Sequence, residues 1–577
     1  MIISKRFKIV SIILLGIFLL FSFLVFKFLP QIKERVTYGS SLFEFGRNVA
    51  YKMRDLADLV YLPKMRGGST LDEYNIEIKY DDLQKMNEGL NEIGDDMVFE
   101  DDMKALVPAK FYFDGKEYNI EISYRGLQDI HWNADKKSYS IRFDKDKTFK
   151  GIRKLNLILP LDRKYFVEYL NSYRAKKFDL IYVDTKFINL RINGKLHGVY
   201  LQQEGWSNEY LDNIGKSSKG KLFKTRDIRS DFCKDREAYY DCIKSYTSLW
   251  ELSAGNEDGD EYDELKKLFE IFSIEDNKSF AEEVEKIVDI EKFLKWNVHY
   301  LLAQSYHQGI SNLRLYFDPE SKRFEPVVWD VNMDMNHRHE NIPSNIEQID
   351  IKYNPIVDRF LSVPEFRHRR NEILWEYISD KDNLNDDISF YDEVYKDTKL
   401  DFYRDRLKRK SNFSFDDDVE RFRNNFINYF NNLKNIFEQG SYIVETKKYD
   451  EKIISIDIIT ESFVTNILDE IAFGLSNDLD TESLFSIYQD TNNNKVFDTE
   501  DELLISSVTK DNKIVFKDLD GVMYTKYLLE KGVIESVTEN RFFLVSNNNI
   551  LLSDLVDINF VVLNKHSQKE IKNFGIR

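Results

Sequence analysis

Two stretches of this chain gather oxygen-bearing side chains at spacings that suit a hard cation. The first is Asn312-Leu-Arg-Leu-Tyr-Phe-Asp-Pro followed by Phe324-Glu-Pro-Val-Val-Trp-Asp330-Val-Asn332-Met-Asp334. Two apolar strands joined by an Asp-Pro-Glu-Ser-Lys turn are expected, so Asn312 enters a hairpin and Asp330 leaves it, and antiparallel pairing draws the polar ends together. An amide oxygen and carboxylates at the mouth of a hairpin suit Mg²⁺, which takes oxygen ligands and keeps waters and phosphate oxygens in the rest of its shell. Asn and Asp also form turns at strand ends, so the spacing leaves both readings open. The second stretch is Asp490-Thr-Asn492-Asn-Asn494-Lys-Val496-Phe-Asp498-Thr-Glu-Asp501. Taken as a twelve-residue Ca²⁺ loop, it puts Asp490, Asn492, Asn494, Asp498 and Asp501 at the side-chain ligand positions, and Val496 offers its carbonyl. Lys495 stands where the sharp turn wants glycine and Asp501 where a bidentate glutamate is usual, and an Asn-rich turn between strands explains the composition equally well.

The elements that must position these groups follow from composition and periodicity. The chain has 577 residues, 42% hydrophobic and 14% aromatic, with 23 Gly and 9 Pro, which suits large cores and, at roughly 100–200 residues per domain, two to four domains. Its net charge of −18 disfavours a broad nucleic-acid footprint. Two cysteines exclude a disulfide scaffold and a four-thiolate zinc site. Cys233 and Cys242 are close enough in sequence to pair outside the cytoplasm, or they are two unrelated thiols.

Residues 9–26 carry no charge and are nearly long enough to span a bilayer, with Lys5, Arg6 and Lys8 before them. Lys27, Phe28, Leu29, Pro30 and Gln31 follow in place of a small-x-small cleavage site. An uncleaved single-pass signal anchor in the cell membrane is expected over 1–30, with the bulk of the chain extracytoplasmic. Residues 31–72 read as a connector. Alternating residues and an Asp114-Gly115 turn predict a β-rich lobe from about Glu73, and Asn193-Gly194 predicts a second hairpin over Lys186–Gln203. Helical patterns occupy about 260–305 and 365–437. The last helix is expected to start at Ser414 as a capping box, to bury Val419, Phe422, Phe426, Phe430, Leu433 and Phe437, and to stop at Gly440. Residues 441–577 return to strands and predict a β-sandwich-like domain.

Six strings in order make the chain resemble the spore coat protein H (CotH) kinase family. They are Tyr124-Arg125-Gly126; Lys136-Lys137-Ser138-Tyr139-Ser140-Ile141-Arg142-Phe143; Ile188–Ile192 with Asn193-Gly194; Gly198-Val199-Tyr200-Leu201-Gln202-Gln203-Glu204; Asn312 with Trp329-Asp330; and Asn354-Pro355-Ile356-Val357-Asp358-Arg359-Phe360-Leu361 with Pro364-Glu365-Phe366-Arg367. The resemblance covers about residues 73–437 and implies an α+β, atypical protein-kinase-like domain over 73–440, with a β-rich N-lobe and a helical C-lobe. It implies ATP and Mg²⁺ or Mn²⁺ as cofactors, and Ser or Thr of extracellular or coat proteins as acceptors. Arg125-Gly126 would let the backbone approach phosphates, and Lys137, with Lys136 as its rival, would pair with their charge. Glu204 would be the lysine's ion-pair partner or a nucleotide contact, while Asn312 and Asp330 hold metal.

One departure from the family pattern concerns the catalytic carboxylate expected a few residues before the metal-ligating Asn. Ala303 to Asn312 holds no acidic residue. Loss of a positioned base costs about 10²- to 10⁴-fold in rate unless His307 takes the role, and a packed structural histidine is the competing reading. Asn332 and Asp334 also differ from the family's second acidic position, leaving Asp330 the principal metal residue. Two functions therefore compete: a membrane-anchored surface kinase of the CotH type, and a catalytically weak scaffold or adhesion protein on the same fold. A hydrolase lacks Gly-x-Ser-x-Gly, His-Glu-x-x-His and a convincing carboxylate pair.

Overall fold

Paired left-handed residues shape both hairpins that the Gly-containing turns predict. Asp114 and Gly115 have φ of 49° and 71°, and Asn193 and Gly194 have φ of 50° and 76°, the geometry that matches strand twist in a two-residue turn. The computed structural model describes residues 54–93, 98–225, 249–255, 262–305, 312–332, 354–476, 484–508, 513–528, 533–535 and 537–576. The apolar segment 9–26, Cys233, Cys242, His307 and Asp334 lie outside them. Among the described residues no helix is long and apolar enough to cross a membrane.

The N-terminal lobe is a closed seven-stranded barrel. Its strands are β1 (Asp72–Glu77), β2 (Val107–Phe113), β3 (Lys116–Tyr124), β4 (Tyr139–Phe143), β5 (Lys154–Ile158), β6 (Thr185–Ile192) and β7 (Lys195–Glu204), in the order β1-β2-β3-β4-β5-β7-β6. Parallel pairing of Asp72–Ile76 with Ile188–Ile192 closes the ring, which leaves no open edge. Tyr74, Phe111, Phe143 and Phe149 fill it with mostly edge-to-face aromatic contacts. Helix α1 (Tyr80–Glu88) follows β1, and α2 (Val167–Lys177) lies between β5 and β6.

A second sheet of order β11-β10-β8-β9 joins β8 (Lys221–Thr225), β9 (Trp250–Gly255), β10 (Arg314–Asp318) and β11 (Arg323–Pro326). Short α3 (Asn208–Asn213) leads into it. The helical layer comprises α4 (Asp263–Phe272), α5 (Asn277–Ile287), α6 (Ile290–Leu302), α7 (Pro355–Leu361), α8 (Pro364–Ser379), α9 (Lys381–Arg404) and α10 (Asn412–Glu438). One apolar core unites this layer with the second sheet, centred on Trp250, Trp296, Tyr300, Phe360 and Leu433.

Three boundaries differ from the sequence reading. Helix α10 begins at Asn412, because the Ser411 hydroxyl accepts from the Ser414 N–H at 3.1 Å and caps the helix three residues before the expected box. Gly440 opens the next strand, and the helix ends at Glu438. Residues 54–71, expected as connector, pack on the body: Tyr61 is buried, and the Asp58 carboxylate accepts from the Asn412 N–H at 2.7 Å.

After α10 the described residues form strands joined by loops, with one short 3-10 turn at Leu552–Asp554. A six-stranded sheet, containing Gly440–Lys448, Ile453–Ser462, Leu484–Gln489, Glu502–Val508, Val537–Ser546 and Lys572–Ile576, shares a core with a smaller sheet built on Asn466–Leu475. Phe463, Val464 and Ile534 enter the helical core, so this region is packed onto its neighbour.

Candidate functional site

The β10–β11 hairpin delivers Asn312 and Asp330 to the same place. Antiparallel pairing runs from Leu315 opposite Pro326 to Asp318 opposite Arg323, and beyond the paired residues the Asn312 amide donates to Asp330 Oδ2 at 3.3 Å. Asp330 adopts φ 55°, a left-handed conformation that Asp tolerates better than most residues, and so turns its carboxylate out of the strand direction. Asn332 donates to Oδ1 at 3.4 Å. The flanking backbone is pinned from α2 and α6: Asn171 donates to the Val331 carbonyl at 2.8 Å, and Tyr300 to the Trp329 carbonyl at 2.6 Å.

Groups that motif reading missed complete this constellation. Arg163, in the turn between β5 and α2, forms an ion pair with Asp330 and lies 3.0 Å from both Asp162 and Glu168. Gln203, near the end of β7, donates to Glu168 at 2.5 Å. Burial opposes the Arg163 charge, but Glu168 and Asp162 hold the guanidinium above its ordinary pKa. Burial would raise the Asp162 carboxyl, yet Arg163, His131 and Arg125 hold it below the usual range. Arg125 is pushed down to about 10 by burial and by Arg163. His131 is pushed down to about 4 by burial, with Asp162 opposing.

An aromatic wall adjoins the carboxylate. Trp206 and Trp329 have ring centroids 5.0 Å apart, and the Arg125 and Arg314 guanidinium groups each stand 5.9 Å from the Trp329 ring. Glu168, Asn171, Gln203, Trp329 and Asp330 line a small cavity between the barrel, α2 and the hairpin. The only signals for the missed residues were charges set among apolar neighbours: Asp162-Arg163 after Leu159-Pro-Leu, and Glu168 within a buried helical turn.

The other expected residues are placed differently. Lys136 is buried and pairs with Asp405, not with Glu204, and it also donates to the Val199 carbonyl at 2.6 Å. Lys137 donates to the Ala134 carbonyl at 2.7 Å, and its ammonium lies 5.7 Å from the Tyr124 ring centroid. Glu204 accepts from Asn213 at 2.9 Å, and burial pushes its carboxyl up to about 7. Gly126 has φ 94°, and a Cβ there would fall 2.2 Å from the His131 ring, so its bare face admits a histidine where a phosphate was expected.

The 490–501 loop uses its oxygens as caps for its own backbone. Asp490 accepts from the N–H groups of Asn494 at 3.2 Å and Lys495 at 2.8 Å, Asn494 accepts from Val496 at 2.7 Å, and Asn492 accepts from Asn494 at 2.9 Å. Asp498 accepts from Glu500 at 2.8 Å, and Asp501 from Asp498 at 2.9 Å. Burial, together with Asp490 and Asp498, raises the Asp501 carboxyl. Among the described residues no group of three or more His, Cys, Asp or Glu is arranged for a metal.

The donor set at the hairpin mouth is one carboxylate flanked by two amides. An amide rotated about its terminal torsion presents oxygen in place of nitrogen, so Asp330, Asn312 and Asn332 can offer oxygen ligands alone, which fits a Mg²⁺ or Mn²⁺ ion that fills its shell with waters and phosphate oxygens. Arg163 supplies the positive charge beside Asp330 in the present arrangement.

Residues 122–385 match the family model described as CotH kinase protein. Inner spore coat protein H of Bacillus subtilis (strain 168) is 26% identical over 314 residues, 54% of this chain and 82% of that protein. The family match runs from within β3, across the Asp330 cluster, into the start of α9.

Proposed function

From the match of residues 122–385 to the CotH kinase protein family model, we propose that the chain is a membrane-anchored, extracytoplasmic kinase that moves the γ-phosphoryl group of ATP to Ser or Thr hydroxyls of surface or coat proteins. In this reading the barrel is the N-lobe and the helical layer the C-lobe of an atypical kinase-like fold. The observation that carries it is the convergence of Asn312, Asp330 and Asn332 at one hairpin mouth, beside the buried Arg163 and the partly exposed Arg125. Phosphoryl transfer asks the protein mainly for positioning and for stabilisation of charge on phosphate oxygens. Asp330 and the two amides would hold Mg²⁺ or Mn²⁺, which when bound neutralises phosphate charge. Arg163 is held between Asp162, Glu168 and Asp330, and its guanidinium can meet a phosphate bidentately once Asp330 takes a cation instead. Trp206 and Trp329 offer a flat apolar face for a base. Lys136 serves the fold through Asp405, which leaves Lys137 and Arg125 as the remaining phosphate contacts among the residues first considered.

A second reading, a catalytically weak scaffold, is favoured by two observations. Ala303 to Asn312 contains no carboxylate to orient an acceptor hydroxyl, and Arg163 already compensates Asp330 within the protein. The deciding experiment is γ-phosphate transfer by the full chain with Mg²⁺ or Mn²⁺, beside Asp330→Ala and His307→Ala. Transfer abolished by Asp330→Ala supports the kinase reading, and a further loss in His307→Ala assigns the base to that histidine. No transfer and no metal-dependent nucleotide binding refutes it in favour of the scaffold.

A further inference from the structure

The helical turns at 54–65 bury one side and leave the other bare. Tyr61 packs inward and donates to Asp416 at 2.8 Å, while Leu56, Leu59, Leu62 and, at 78% exposure, Val60 face solvent. The Asp58 cap on the Asn412 N–H places the start of α10 against this segment, and the next residue, Phe413, is 73% exposed. Five apolar side chains thus share one rim of the body, a cluster of the kind that marks an interaction surface. Beside them runs Arg404-Asp-Arg406-Leu-Lys408-Arg409-Lys410, in which Arg406 is exposed and Lys410, paired with Asp418, is half-buried, while Lys408 is buried and Arg404 and Arg409 donate to backbone carbonyls of the body. Arg54 ties this run to the helical segment by donating to the carbonyls of Arg406 at 2.9 Å and Lys408 at 2.5 Å.

The chain outside the described residues identifies the occupant. In the sequence, residues 9–26 are uncharged and apolar, and residues 27–53 separate them from Arg54, which lies within the same rim. We propose that this rim is the seat of the protein on the bilayer: Leu56, Leu59, Val60, Leu62 and Phe413 enter the headgroup region, and the exposed Arg406 and the half-buried Lys410 meet anionic lipid. The proposal rests on the membrane-anchor reading above and adds an orientation to it. Helix α10 is 27 residues long, or about 40 Å at its rise per residue, so the six-stranded sheet that begins at Gly440 stands far from the rim at the opposite end of that helix. The C-terminal sheets are then held away from the membrane.

The test uses the full chain with Cys233 and Cys242 replaced by Ser, reconstituted into phosphatidylcholine vesicles with or without phosphatidylserine and containing a bromolipid quencher. An environment-sensitive fluorophore is placed at Val60→Cys, Phe413→Cys or Phe574→Cys, the last on a strand paired beside Tyr442 at the far end of α10. The expected result is at least about twofold quenching at 60 and 413, stronger with phosphatidylserine, and none at 574. A Leu59→Asp/Leu62→Asp variant that still floats with vesicles should lose the quenching at 413. Flotation without quenching at 60 and 413 overturns the proposal while leaving the anchor intact, and identifies residues 31–53 or another partner as the cover. Failure to float overturns both.

Discussion

Asp405 offers the sharpest test of how the barrel is fastened to the helical layer. Its carboxylate, on the loop after α9, pairs with Lys136 of the barrel and accepts from the N–H groups of Val199, Leu407 and Lys408, each at 3.0 Å. Both side chains are almost wholly buried. Burial pushes the Lys136 ammonium below its ordinary pKa, and Asp405 works against that shift. Asp405→Ala therefore strands a buried cation and three backbone donors. Breaking a buried pair from one side costs about 3–5 kcal/mol, so a loss of about 4 kcal/mol is expected. The double variant Lys136→Met/Asp405→Leu removes the stranded charge and leaves only the backbone donors, which should return the loss to about 2 kcal/mol. Urea unfolding reads the total, and native-state hydrogen exchange at Val199 reads the joint locally. A loss below about 1 kcal/mol in Asp405→Ala, or a double variant as costly as the sum of the singles, would refute the reasoning.

Four further outcomes follow from the same geometry. Gly198→Ala should destabilise the same joint, since φ is 87° and a Cβ would fall 2.1 Å from the Asp405 carboxyl carbon; equal stability by urea unfolding would contradict this. Glu204 is protonated up to about pH 7 in the folded chain but ionises near 4.5 when unfolded, so its contribution to stability is full below 4.5 and declines as pH rises to 7. Glu204→Gln should flatten that part of the stability–pH curve. His131 behaves in the opposite sense: its folded value of about 4 lies below the ordinary 6.5, so the unfolded chain takes up a proton first and stability falls as pH drops from 6.5 toward 4, a slope that His131→Gln should reduce. Asp490→Ala leaves the Asn494 and Lys495 N–H groups without their acceptor and should cost about 2 kcal/mol, measurable as earlier loss of the C-terminal sheets in urea.

Local chemistry was legible wherever a short stretch decides its own conformation. Asp114-Gly115 and Asn193-Gly194 specify two-residue hairpins because few other pairs tolerate left-handed backbone twice in succession. The stripe from Val419 to Phe437 on α10 is buried throughout because one face of the helix packs first against the Tyr165–Phe402 cluster and then against the helical core. The Asn312–Asp330 meeting was readable because a hairpin converts sequence symmetry about a turn into proximity. The start of α10 shows the limit of such reading: Ser411 and Ser414 are both competent caps, and only the docking of Asp58 on Asn412 shows which turn is anchored.

The sequence by itself determined the strand and helix periods, the turns, the match of residues 122–385 to the CotH kinase protein family model, and the oxygen-rich ends of the β10–β11 hairpin. Tertiary structure alone decided that β1 closes the barrel by lying parallel to β6, more than a hundred residues away, because ring closure depends on accumulated twist and stagger. It also decided the ionic partners: Lys136 with Asp405 rather than Glu204, and Asp330 with Arg163. A buried charge takes whichever opposite charge the packing of distant segments brings within reach, since desolvation penalises every unpaired alternative, and no spacing along the chain encodes that choice.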